Sequence, residues 1–340
     1  MNKLLGFIFT FCLTVSISAQ KIETSQDSIH VFYDKVFKSL EVGYLHKKDY
    51  DWKKLKAETF RNLEKAEDFR SSLKEAKVLF EKIGTDHSKL MYGGKSYGPA
   101  VNIQWSDFSQ QWMTKFASKP EFEAKILHDQ YGYILMPNIS SDDFSSENIH
   151  KIAQPLYDQI AGLKTAELKG WIVDLRFNTG GNAAPMILAL YDLLGDHTVW
   201  KTLDADQQIG SARLNKGVYD QGEKRPPYIT PGGRLMDKSR VAVITGGLTA
   251  SSGEVTALSF KGRPYTVFIG EKTLGKTTSN MMVDLPFNAR MSLSIGYDCD
   301  RNGNYYEKII PDITVSKQDD FDDLLQDKNI QEAILFIEKK

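Results

Sequence analysis

The sequence predicts an α/β core preceded by a helical region. Two observations carry this. Between residues 21 and about 90, apolar side chains recur at helical spacing and Gly and Pro are scarce. From Tyr131 onward, short β-branched apolar runs alternate with helix-like segments, the order expected when strands of one sheet are joined by helices. The expected division is a signal peptide over 1–19, a helical domain and linker over 20–125, the α/β core over 126–318 and a C-terminal helix over 319–340.

The elements follow in order. Lys3, the apolar run Leu4 to Val15 and the small-residue exit Ser16 to Gln20 read as a secretory signal peptide, too short to span a bilayer as a helix. The cut falls before or after Ala19, and Phe11 ahead of Cys12 is unsuited to a lipid-anchor signal. The mature chain is expected in the periplasm or outside the cell, with no later membrane span. Ile29, Phe32, Tyr33, Val36 and Phe37 recur at helical spacing, as do Phe60, Leu63, Ala66 and Phe69, and later Leu73, Ala76, Leu79 and Phe80. Tyr50-Asp51-Trp52 reads as a helix start, and Gly84-Thr85-Asp86-His87-Ser88 as a closing turn. Trp105, Phe108 and Trp112 suggest packed short elements between 95 and 130, a stretch too short for an independent PDZ domain of roughly a hundred residues.

Strands are expected at Tyr131–Met136, Trp171–Arg176, Val241–Ile244 and Tyr265–Gly270. Helices are expected at Asn148–Lys164 (despite Pro155), Ala184–Leu194 and Ser252–Phe260. Residues 279–299 alternate like a hairpin, with Met281, Val283 and Leu285 answered by Met291, Leu293 and Ile295. Residues 201–236, rich in Gly, Pro and charge, read as a long excursion bordering a groove. Leu324, Leu325, Ile334 and Ile337 form the stripe of the last helix.

Composition narrows the function. Hydrophobic residues are 41% and charged residues 26% of 340, which suits a globular core. A net charge of -1 gives no electrostatic case for nucleic acid or an anionic membrane. Once Cys12 leaves with the signal, Cys299 is alone and reads as structural, because Asp298 and Asp300 oppose thiolate formation. No His/Cys/Asp cluster has metal-ligand spacing, so neither metal nor cofactor is implied.

Three stretches carry chemistry. Asp174-Leu175-Arg176-Phe177-Asn178-Thr179-Gly180-Gly181 ends a strand on two glycines, where backbone N–H groups can approach a ligand without a Cβ in the way. It is not a phosphate-binding P-loop, for no Lys-Ser/Thr follows at that spacing. Thr249-Ala250-Ser251-Ser252-Gly253-Glu254 sets a hydroxyl at a strand-to-helix turn, beside the unpaired N–H groups of a helix start. The bland alternative is a capping box, Ser251-x-x-Glu254. Gly270-Glu271-Lys272-Thr273-Leu274-Gly275-Lys276 follows the fourth strand, and by itself Lys276 would be a solvated lysine.

Together with Pro311-Asp312-Ile313, this ordered set resembles the C-terminal-processing (tail-specific) serine peptidases and their tricorn-core and retinoid-binding-protein relatives, over about residues 130–316. The resemblance implies a crotonase/ClpP-like α/β core and hydrolysis of peptide bonds in a peptide or protein substrate. It places the nucleophile at Ser251 and the oxyanion hole at the N–H of Gly180 or Gly181 with that of Ser252. Losing one such donor typically costs a hundred- to a thousandfold in rate, to order of magnitude. The spacing of 25 residues to Lys276 suits the Ser/Lys members, whose Gln four residues after the lysine is Asn280 here. Tricorn-like members use an N-terminal histidine and a glutamate near the Pro-Asp motif; His87 and Glu307 answer to these. Lys276 is preferred as the base on spacing, with His87 second. A lysine base must lose roughly three units of pKa at a cost of about 4 kcal/mol, through desolvation by Leu274, Met281 and Met282, whereas a histidine near about 6.5 needs no such shift. The competing functions are a non-catalytic ligand- or peptide-binding protein on the same fold and a scaffold whose serine only caps a helix.

Overall fold

The computed structural model describes residues 25–141, 143–163 and 168–339. The expected signal peptide and the expected helix end at Lys164 lie outside the described residues. The chain opens with α1 (Ser25–Gly43), α2 (Trp52–Leu63) and α3 (Phe69–Lys82). Asp51 and Asp68 cap the second and third by accepting the N–H of Lys54 and Ser71. Then come β1 (Lys89–Tyr92), β2 (Lys95–Tyr97), α4 (Gln110–Ala117), β3 (Glu123–Leu127), β4 (Tyr131–Leu135), α5 (Ser146–Gly162) and β5 (Gly170–Asp174). They are followed by α6 (Ala183–Ala189), α7 (Tyr191–Leu194), β6 (Thr198–Asp204), β7 (Ile209–Asn215), β8 (Val218–Asp220), β9 (Arg240–Thr245) and α8 (Ser252–Leu258). The chain closes with β10 (Thr266–Gly270), β11 (Thr278–Leu285), β12 (Ala289–Cys299), β13 (Ile313–Thr314) and α9 (Lys328–Glu338).

Six strands form a sheet in the order β13-β10-β9-β5-β4-β3, parallel throughout except for the antiparallel β3–β4 pair. Its strands are apolar on both sides because both faces are covered. Val173, Val241 and Val243 meet α5, α6 and α8, while Ile172, Ala242 and Ile244 on the other face meet α4 and α9. The serine turn and the twin glycines thus both sit at the C-terminal edge of one parallel sheet, where β9 and β5 end.

A second, antiparallel sheet runs β2-β1-β12-β6-β7-β8, with β11 along the other edge of β12. β12 is long enough to pair with β1 through Arg290–Ser292 and with β6 through Gly296–Cys299. The N-terminal helices pack on this sheet: Ile29, Phe37 and Leu79 share a core with Leu285, Met291 and Leu293. The α/β core preceded by helices is therefore the observed architecture.

Three elements differ from the sequence reading. The first part of the stretch 201–236, through Asp220, is a β-meander rather than an irregular excursion, and the rest has no strand. One face of β7 is open to water, leaving Ala212 and Leu214 as its buried residues, so the apolar signal is thin. The C-terminal helix begins at Lys328, where Asp327 caps it by accepting the N–H of Asn329 and Ile330; Leu324 and Leu325 precede it in turns. β3 runs across residue 125, so the sheet reaches slightly upstream of the expected edge of the core. Among the described residues, no helix is long and apolar enough to cross a membrane.

Candidate active site

The site lies in a cavity of about 1160 Å³ between the antiparallel sheet and the loops that leave the ends of β5 and β9. Its walls include the turn at Asp86–Ser88, the serine turn, Gly181 and Asn182, and residues of β6, β11 and β12.

Ser251 occupies an uncommon backbone conformation, φ +52° and ψ −120°. An ordinary N-cap serine sits in the β region, so a positive φ is not what capping requires. Holding a non-glycine residue there costs about 1–3 kcal/mol and must be enforced by its surroundings. Glu254 supplies that enforcement. Its buried carboxylate accepts the N–H of Ser251 at 2.9 Å, of Gly275 at 2.9 Å and of Lys276 at 2.7 Å, and the hydroxyl of Thr273. Burial pushes this carboxyl upward, opposed by the four donors. Gly253 is needed because a Cβ there would meet the Asn178 carbonyl at 2.5 Å. The Ser-x-x-Glu pattern is thus a real structural tie, and its tension is centred on Ser251.

His87 brings the chemistry to that hydroxyl. Its Nε2 lies 3.1 Å from Ser251 Oγ, and its Nδ1 lies 2.9 Å from Thr278 Oγ1. Thr278 Oγ1 donates onward to Ser294 Oγ at 3.3 Å, which donates to Asn280 Oδ1 at 2.9 Å. Read in one direction, these bonds fix the imidazole with its proton on Nδ1, leaving Nε2 as the acceptor that faces the serine. Asn280 also donates to the His87 carbonyl at 3.3 Å. Burial pushes the imidazole down to about 4, reinforced by the Lys276 and Lys89 ammonium groups and opposed by Asp86 and Thr278. His87 is therefore neutral at ordinary pH and able to take a proton.

The structure puts His87 rather than Lys276 within hydrogen-bond reach of Ser251. Lys276 Nζ is paired with Asp86, 2.9 Å from Oδ2 and 2.7 Å from the carbonyl oxygen. Among the described residues it makes no hydrogen bond to Ser251. Of the shell expected around it, Met281 is 46% exposed, while Leu274 and Met282 are half-buried and the lysine side chain itself is largely buried. Asn280, expected beside the lysine amine, supports the histidine instead. Glu307 is exposed and offers the site its backbone, accepting from the Thr277 hydroxyl at 3.2 Å.

The glycine pair separates into two duties. Gly180 N–H is taken by Asn178 Oδ1 at 3.1 Å, whose amide holds the carbonyls of Met136 and Pro137 at the end of β4. Among the described residues, the N–H groups of Gly181 and Ser252 have no protein acceptor. Gly181 (φ +115°) sits so close to Ile139 that a Cβ would fall 2.0 Å from its carbonyl oxygen. The Ser252 hydroxyl bonds the Gly181 carbonyl at 2.7 Å and joins the two donor segments. Asp174 and Arg176, from the same motif, are structural. The buried guanidinium binds Asp174 and reaches Asp319 at 2.8 Å and Asp327 at 2.7 Å. Cys299 is buried and its thiol is pushed up to about 11, by burial first and then by Asp298 and Asp300. Thr278 and Ser294 were not singled out from sequence, a run of hydroxyls after Lys276 being the one available signal; Asn178 was named within its motif but given no duty.

The family model described as peptidase family S41 matches residues 130–315. A nisin-resistance protein from Lactococcus lactis subsp. lactis is 30% identical over 210 residues, 61% of this chain and 62% of that protein. A carboxy-terminal-processing protease from Bartonella bacilliformis is 24% identical over 181 residues, 51% of this chain and 37% of that protein. The aligned stretches therefore span less than two thirds of the length of either relative. Among solved structures, a lipoprotein from Streptococcus agalactiae superposes with a TM-score of 0.67 at 22% identity, covering 93% of this chain and 97% of that one, which speaks to the fold alone.

Proposed function

The chain belongs to peptidase family S41, and from that premise we propose that it is an exported serine endopeptidase of the tail-specific type whose working pair is Ser251 and His87. The observation that carries this reading is the 3.1 Å approach of His87 Nε2 to the hydroxyl of a backbone-strained serine. The leader-like residues 1–19 support export to the periplasm or beyond.

The steps follow from the groups present. Neutral His87 takes the Ser251 proton at Nε2 as Oγ attacks the scissile carbonyl carbon. The carbonyl oxygen becomes an oxyanion, and the N–H groups of Gly181 and Ser252 receive it. The imidazolium then gives its Nε2 proton to the leaving amine, the C–N bond breaks, and an acyl-enzyme remains on Ser251. Water, deprotonated by the same Nε2, cleaves that ester and restores the serine. Thr278 holds Nδ1 throughout. It is neutral, so the imidazolium is stabilised less than beside a carboxylate, and the nearby Lys276 charge disfavours it further. Both effects make it a strong acid toward the leaving amine. Lys276 acts through this field and by fixing Asp86, next to His87.

The test is digestion of a peptide library by the mature protein beside Ser251→Ala, His87→Ala and Lys276→Ala. Cleavage by wild type and Lys276→Ala, with losses of about ten-thousandfold in the other two, is expected. Undiminished cleavage by Ser251→Ala would overturn the assignment.

A further inference from the structure

Behind the nucleophile, the cavity contains a carboxylate that the peptidase mechanism does not use. Asp298, on β12, is 2% exposed and lines the cavity wall. One carboxylate oxygen accepts the Ser279 hydroxyl. The other has no protein partner among the described residues, and it is not among their fully enclosed unpaired atoms. Among the described residues, no Lys or Arg pairs with the group. The charge acting on it is another carboxylate, Glu254, whose own acceptor capacity is filled by the backbone of the serine turn and its neighbours. A buried acid without a cation is costly unless something positive or hydrogen-bonding completes it.

Its surroundings have the shape of a side-chain pocket. β12 and β6 both lie against α8, the helix that Ser251 opens. Val255, one turn beyond Ser251, lines the same cavity with Trp200, Thr202 and Tyr219. Trp200 Nε1 donates to the Tyr219 hydroxyl at 2.8 Å, so the indole and phenol stand as a fixed wall. An apolar wall with one anionic point beyond it suits a long aliphatic stem ending in a cation.

Resting on the peptidase reading above, we propose that Asp298 is the specificity-determining residue of a substrate pocket, selecting a lysine or arginine side chain beside the scissile bond. With the pocket empty, burial pushes Asp298 up to about 7. An entering ammonium or guanidinium favours the ionised form and draws it back down. The Ser279 hydroxyl keeps the carboxylate oriented, and is the part of the arrangement that a purely structural role would also need.

The test compares kcat/KM for peptides that differ at one position next to the cleaved bond, carrying lysine, its uncharged near-isostere norleucine, or glutamate. Wild type is expected to favour lysine over norleucine by about ten- to a hundredfold, the usual range for one hydrogen bond to a charged group. In Asp298→Asn, which keeps the shape and the Ser279 contact, the lysine-to-norleucine ratio should collapse to near one, and Asp298→Glu should restore part of it. Thermal unfolding of each variant separates lost folding from lost selection. Cleavage without a basic preference at any position near the bond, or a ratio unchanged by Asp298→Asn, overturns the pocket assignment and leaves the peptidase reading standing. Should no peptide be cleaved at all, the peptidase reading fails. Binding of the same lysine and norleucine peptides to Ser251→Ala then decides the pocket: tighter lysine binding, lost in the Ser251→Ala/Asp298→Asn double variant, upholds it, and equal binding overturns it.

Discussion

At the scale of single residues, the site rests on keeping one imidazole uncharged. The folded His87 pKa of about 4 lies below its ordinary value of about 6.5. The base form is therefore present above about pH 4, and kcat/KM should rise through that region and stay level across neutrality. Removing the Lys276 ammonium removes a cause of the depression. Lys276→Ala should thus move the acid limb to higher pH while most of the rate at pH 7 remains; a pH–rate profile checks both. The same shift has a stability consequence. Between about pH 6.5 and 4 the unfolded imidazole binds more protons than the folded one, so stability rises with pH in that window and falls on acidification. Unfolding midpoints measured at pH 4.5 and 7 should differ more for wild type than for His87→Gln. Thr278→Val leaves Nδ1–H without its acceptor; a drop in kcat of about ten- to a hundredfold is expected, largely rescued by Thr278→Ser. Little of this was legible beforehand. The sequence offered both His87 and Lys276, and spacing favoured the lysine. What separates them is that the turn at residues 84–88 folds onto a serine 164 positions away and delivers Asp86 to the lysine, facts of tertiary contact that no local pattern encodes.

At the scale of elements, the motifs divide into parts that react and parts that hold. Thr249 caps its own turn, accepting Gly246 N–H at 2.9 Å and donating to the Leu175 carbonyl at 2.8 Å, so the serine loop is tied to the end of β5. Asn178 ties the glycine loop to β4 and, through its carbonyl, accepts Ala250 N–H at 3.0 Å. Gly181→Ala forces a Cβ into the Ile139 carbonyl at a positive φ, so the donor strand must shift. Its activity should fall by at least a hundredfold, the scale of one lost oxyanion donor, while circular dichroism shows a folded protein. The strands, glycine turns and serine turn were legible because alternation and turn chemistry are local. The β6–β8 meander was not, because a strand with one wet face and glycine at its edge resembles a loop in composition.

At the scale of the whole molecule, Arg176 joins the edge of the parallel sheet that carries the candidate site to the C-terminal segment. Its guanidinium is enclosed by Asp174, Asp319 and Asp327. Removing one partner from a buried ion network leaves unpaired charge and costs about 3–5 kcal/mol. Arg176→Ala should lose stability on that scale in denaturant titration, with unfolding of α9 and the adjacent sheet face coupled to it. The motif reading had given Asp174 and Arg176 no separate duty from the glycines. The partners of Arg176 in the C-terminal segment lie more than 140 positions away, which is why sequence reveals the residue and conceals the task.

The most direct measurement is the rate at which a fluorophosphonate labels Ser251 in wild type, His87→Ala and Lys276→Ala, read by mass spectrometry of the labelled peptide. The account predicts fast labelling in wild type and Lys276→Ala and a loss of at least a thousandfold, in order of magnitude, in His87→Ala. Labelling that survives without His87 and vanishes without Lys276, or no labelling of Ser251 in any form, would contradict it.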